Sequence, residues 1–212
     1  MMRIHFKYIL YLVVLIGAGA ARADAAVDFF RAVNVDNDRT VQSLLAAGFD
    51  PNTRNAQGQS GLFLALREEA PKVAAALLAH PATQVDATPA ADETALMMAA
   101  LRGNVDWITH LLERGAALNR PGWTPLHYAA TGPSTAAVKL LLDRGAQIDA
   151  ASPNRSTPLM MAARYGPEES AELLVARGAG RELRNDKAMT AADFARSAGR
   201  DSLGKVLEAS AR

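Results

Sequence analysis

The chain of 212 residues contains no cysteine. Its absence excludes disulfides, thiol nucleophiles, thiolate metal sites and lipid attachment at an N-terminal cysteine. Charge of one sign is also missing, with 23 basic against 22 acidic residues. So even a balance gives no electrostatic footprint for nucleic acid. No G-x-S-x-G, no Walker glycine loop and no dinucleotide fingerprint occurs. Histidine is sparse: His5, His80, His110 and His127 are the whole set, and none has a partner at a spacing such as H-E-x-x-H. The adjacent pairs Glu68-Glu69 and Glu168-Glu169 fall at helix junctions, where neighbouring side chains do not face each other. No catalytic, cofactor-binding or metal-binding residue is therefore expected.

Long apolar runs are confined to the beginning. Met1–Lys7 carries Arg3 and Lys7, Tyr8–Ile16 is wholly apolar, and Gly17–Ala23 is small and ends Ala21-Arg22-Ala23. A basic start, a short apolar middle and an A-x-A site predict a secretory signal peptide over 1–23, cleaved before Asp24. Ala23-Asp24-Ala25 offers an alternative site two residues later. The other reading is an uncleaved membrane anchor, although spanning needs about 20 apolar residues. Cleavage removes Arg3, Lys7 and Arg22 but no acidic residue, which turns the net charge of +1 into −2.

What the rest of the chain has is a period. Capping hydroxyls recur at Ser60, Thr94, Thr124, Thr157 and Thr190, spaced 34, 30, 33 and 33 residues apart. Leucine pairs recur in phase at 44–45, 77–78, 111–112, 141–142 and 173–174. The stretch Gly122–Ala151 shows the unit most clearly. Thr124 suits a helix N-cap and Pro125 the first helical position. Leu126, Ala129 and Ala130 give that helix one apolar stripe, and Gly132-Pro133 stops it. Ser134 opens a second helix through Val138, Leu141 and Leu142, which Gly145 ends. Thr94, Thr157 and Pro158 repeat the start; Gly103 and Gly166 separate paired helices, and Gly115 and Gly178 end second helices.

A period near 33 with T-P-L-H-x-A-A and R-G-A marks resembles the ankyrin repeat. The resemblance implies an all-α solenoid of about six helix-turn-helix units with short β-hairpin fingers, over 24–56, 57–90, 91–121, 122–153, 154–186 and 187–212, as one elongated domain. The first unit lacks T-P-L-H and the last has Asp193 for the motif histidine, as terminal caps would. The loop before Thr124 is three residues short and carries Trp123. Trp107 takes an aliphatic place in a second helix and is expected half-buried. Met97-Met98 and Met160-Met161 are expected in the core, with oxidant sensitivity the alternative.

By the same resemblance His127 makes hydrogen bonds between repeats, and a protein partner lies along the concave face made by fingers and first-helix ends. Trp, Tyr and Arg dominate interface energetics, which singles out Arg102, Trp123, Arg155, Arg164 and Tyr165. An exported ankyrin chain resembles the bacterial periplasmic group. The expectation is a monomeric, non-catalytic periplasmic protein that binds a protein partner, touching membrane only through its signal segment. The alternatives are a membrane-tethered interaction domain and an enzyme with an unrecognised site.

Overall fold

Helix pairs with short turns build everything that the computed structural model describes, residues 23–87 and 92–208. Residues 1–22 of the signal segment expected over 1–23 lie outside the described residues, as do 88–91, where the second and third units were expected to meet. First helices are α1 (23–34), α3 (Gly61–Arg67), α5 (Ala95–Arg102), α7 (Pro125–Thr131), α9 (Pro158–Tyr165) and α11 (Ala191–Ser197). Second helices are α2 (Asp38–Ala46), α4 (Pro71–Ala79), α6 (Val105–Glu113), α8 (Thr135–Asp143), α10 (Glu168–Ala176) and α12 (Asp201–Glu208). Among the described residues none is long and apolar enough to cross a membrane. The fingers are tight turns rather than strands: among the described residues β pairing is one isolated bridge, Arg54 to Ser60. Where the sequence suggests one array, the packing divides the chain after Gln84 into two compact units.

The first unit, through Gln84, packs α1–α4 around Phe29, Val33, Val41, Phe63 and Leu77. Ala70, which precedes α4, has no side chain to cap with, and the Asp36 carboxylate of the previous turn accepts the Val73 N–H at 2.9 Å instead.

In the second unit α5, α7, α9 and α11 stack in sequence, with α6, α8 and α10 alongside. The stacked faces are small: Ala99, Ala100, Ala129, Ala130, Ala162, Ala163 and Ala195 are all buried. Second helices end in a repeated motif. At Gly145 the chain turns through φ +90°, its N–H reaches Leu142 O, and Ala146 N–H reaches Leu141 O. Gly115 and Gly178 close α6 and α10 by the same pair of bonds.

The loops that follow are tied forward by one side chain each. Asp86 accepts the Ala117 N–H at 3.0 Å, Asn119 that of Gln147 at 2.9 Å and Asp149 that of Gly180 at 2.9 Å. Asn52 does the same for Gln84 inside the first unit, at 2.8 Å. At the far end Arg200 folds back on α9. Its Nη1 donates to the Ala162, Ala163 and Gly166 carbonyls at 3.2, 3.0 and 2.8 Å, closing the exposed end of α9.

Gly132 and Gly166 are glycine for a different reason than the sequence suggests. Both are extended rather than left-handed. A Cβ at Gly166 would lie 2.2 Å from the Ala130 carbonyl oxygen, and one at Gly132 2.4 Å from that of Leu101. They stop the helices by letting neighbouring backbones touch.

The two kinds of glycine respond differently to alanine. At Gly145 nothing lies near the added methyl, so Gly145→Ala costs only the left-handed strain, about 1–2 kcal/mol. Gly166→Ala drives a methyl into backbone that cannot yield, and costs about 3 kcal/mol, the upper end for overpacking. Urea unfolding of the two variants checks this order; equal midpoints would contradict the close-approach account.

Candidate protein-binding site

The site rests on how each first helix in the second unit begins. Its N-cap threonine is buried in α5, α7 and α9 and partly buried in α11, so the threonine N–H calls for an acceptor inside the protein. The side chain three residues on supplies it. Thr94 N–H meets Met97 Sδ at 3.4 Å, Thr124 N–H meets His127 Nδ1 at 3.2 Å, Thr157 N–H meets Met160 Sδ at 3.4 Å, and Thr190 N–H meets Asp193 Oδ2 at 2.8 Å. Met97 and Met160 are thus more than core filler. Their place, in register with His127, is the signal in the sequence for this role.

His127 adds a bond to the next repeat. Its Nε2 lies 3.0 Å from the Ser156 carbonyl oxygen, which can only accept, so Nε2 carries the proton. Nδ1 is then the acceptor, facing the Thr124 N–H and lying 2.8 Å from the Thr124 hydroxyl. Burial lowers the His127 pKa, against smaller opposing effects of the Ser156 and Ala150 carbonyls. The ring stays neutral, because a proton on Nδ1 would set two donors against each other.

Beside this ring opens an apolar cavity of about 280 Å³, lined by Leu101, Trp123, His127, Tyr128, Thr131 and Met161. It lies on the face of α5, α7 and α9. The Trp123 indole, half-buried, meets the His127 ring edge-on at 5.2 Å and 78°. The Tyr128 hydroxyl donates to Glu93 Oε1 at 2.8 Å, and Arg120 pairs with Asp92 at 2.5 Å. Burial, and then the Glu93 carboxylate, push the Tyr128 phenol well above its ordinary pKa, so it remains a donor. The Thr131 hydroxyl turns inward to the His127 carbonyl at 2.9 Å.

Of the five residues singled out for binding, only Trp123 lines the cavity. Arg164 and Tyr165 form a pair just beyond it on α9: the guanidinium carbon is 5.3 Å from the Tyr165 ring centre, and Nη1 donates to Ser197 Oγ at 3.0 Å. Tyr165 is 56% exposed, a large aromatic presented to solvent. Arg102 is exposed at the end of α5, next to Leu101. Arg155 stands apart on an exposed loop turn at φ +59°. Tyr128 and Met161 line the cavity but were not singled out from the sequence, although they hold matching places in successive repeats.

The other chemically suggestive residues each have partners of their own. Glu68 pairs with Arg67 at 2.6 Å and Glu168 with Arg200 at 3.5 Å. His80 accepts the Ala82 N–H in its loop, and His110 packs against half-buried Trp107. Among the described residues no cluster of three or more histidines and carboxylates could hold a metal ion.

A stack of helix pairs locked by side chains at repeated positions defines the class: a tandem helix-pair repeat protein. The family model for ankyrin repeats in three copies matches residues 29–121 and 96–187, and the chain belongs to the ankyrin repeat family. It is 37% identical over 102 residues to human ankyrin repeat and KH domain-containing protein 1, covering 46% of this chain and 4% of that one. Over 107 residues it is 37% identical to ankyrin repeat domain-containing protein 37 of Bos taurus, covering 49% of this chain and 68% of that one. The chain therefore spans a small part of the human relative. Among solved structures it is similar to a chain in the complex of a predatory endopeptidase from Bdellovibrio bacteriovorus with an immunity protein. The TM-score is 0.73 at 24% identity, covering 85% of this chain and 96% of that one, a likeness of fold. Ankyrin repeats are protein-interaction folds, and that much holds for this chain.

The His127 account predicts a pH effect. The folded pKa is lowered, so the unfolded state binds the proton more readily, and stability falls as pH drops below about 6.5, the value for unfolded histidine. His127→Met, which copies Met97 and Met160, is expected to fold and to flatten the urea midpoint between neutral pH and about 5.5. A variant with the wild-type slope would show that another group carries it.

Proposed function

We propose that the chain is an exported, non-catalytic periplasmic protein that acts as a monomer and binds a protein partner on the first-helix face around Trp123. The observation that carries this reading is the apolar cavity on α5, α7 and α9 with a half-buried tryptophan in its wall. Exposed Tyr165 and Arg102 stand beside it, of residue types that dominate interface energy. Export is supported by the basic, apolar and A-x-A succession of the first 23 residues. A non-catalytic role is supported by the engagement of His127 and Glu168 in structural bonds.

Capture from periplasmic extract tests it, comparing the full chain, expressed with its own leader, against Trp123→Ala/Arg164→Ala. Circular dichroism checks that both fold. Truncating a hot-spot tryptophan costs about 2 kcal/mol or more, so the variant should retain its partner roughly 30-fold less well. Equal capture by both would move the interface off this face, and no specific capture would count against a binding role. N-terminal sequencing of the exported protein is expected to begin at Asp24 or two residues later; an intact Met1 on a membrane-bound form would overturn export by cleavage.

A further inference from the structure

The cavity and its rim define the partner more narrowly than its being a protein. We infer that the cavity takes one large apolar side chain of a partner segment, and that Arg164 takes an aspartate or glutamate a few residues away on the same segment. This rests on the protein-binding reading of the same face.

Size and wall chemistry select the apolar group. At about 280 Å³ the cavity falls just below the ~300–1,000 Å³ of small-molecule and cofactor sites, and suits a single side chain. The hydroxyl protons and ring nitrogens that border it are already engaged: Thr131 with the His127 carbonyl, Tyr128 with Glu93, and both His127 nitrogens with Thr124 and Ser156. A polar occupant would lose its water against an almost wholly apolar wall and gain little hydrogen bonding, whereas an apolar one needs none. Met161 supplies a thioether wall that adapts to the shape of the guest.

Charge on the rim selects the second group. The carboxylates of Asp92 and Glu93 are held by Arg120 and Tyr128. Arg164 follows Met161 by three positions on α9, which puts the two on one helix face. Its guanidinium meets a neutral hydroxyl at 3.0 Å and the Tyr165 ring, with no carboxylate beside it among the described residues. A guanidinium has five N–H donors and is matched to a carboxylate, which it binds bidentately. The cation–π contact with Tyr165 occupies none of its N–H donors. Acidic and apolar chemistry on one segment fits both features at once.

The test uses the full chain with Trp107→Phe, which leaves Trp123 as the single tryptophan. The probes are blocked synthetic peptides with one Phe and one Asp, the Asp placed one to three residues to either side. Trp123 emission should shift saturably with at least one peptide. Replacing its Phe by Ala, or its Asp by Asn, should weaken binding at least tenfold, and Arg164→Gln should erase the difference between Asp and Asn. Any of three results would overturn the inference: no saturable change up to millimolar peptide, equal binding of the Ala peptide, or an Asp preference that survives Arg164→Gln. Sedimentation is run in parallel, because self-association that protects Trp123 would make a second copy the occupant. Should the peptides fail while capture from extract still depends on Trp123, the inference falls and the binding reading stands; should both fail, both fall.

Discussion

The second unit depends on satisfying one backbone amide in each of three consecutive repeats at a place water does not reach. Alanine faces and extended glycines bring the first helices of the second unit so close that Gly166 nearly touches the Ala130 carbonyl. The same closeness buries the N-cap threonines at 94, 124 and 157. A buried donor left without an acceptor costs about 1–3 kcal/mol. Histidine, methionine and aspartate look like unrelated choices at this position. They share one property, an acceptor atom that reaches back one turn.

The three acceptors differ in what else they do. The thioethers of Met97 and Met160 accept weakly and are buried. Asp193, in the last repeat and partly exposed, accepts from both the N–H and the hydroxyl of Thr190, and these bonds hold its carboxyl below the usual range. His127 alone has a second ring nitrogen, which it uses to reach Ser156 in the next repeat. That bond fixes the ring plane against which Trp123 packs, so one cap helps to shape the cavity wall. Architecture and candidate site thus meet at one side chain.

The repeats were legible because their punctuation is chemical. Capping hydroxyls and paired leucines each have one strong reason to recur, and they recur in phase. The candidate site was legible only by residue type. Trp123, Arg164 and Tyr165 stand out as large side chains at loop and helix-end positions, and they flank one face of α7 and α9. The cavity was not legible, because Met160 and Met161 are the same residue with opposite jobs: one is a buried acceptor and the other a cavity wall. The glycines show the same limit. Gly145 and Gly166 both stop helices, one by a left-handed turn and the other by giving up its side chain to a neighbouring carbonyl. Sequence shows the glycine, and only the packing shows which reason applies.

Amide hydrogen exchange of the full chain, free and with its captured partner, tests the central claim most directly. If the face of α5, α7 and α9 is the binding surface, protection on binding concentrates in the segments around Leu101, Trp123–Thr131 and Met161–Tyr165, with the second helices little changed. Protection confined to the second helices, or to the first unit, would contradict it.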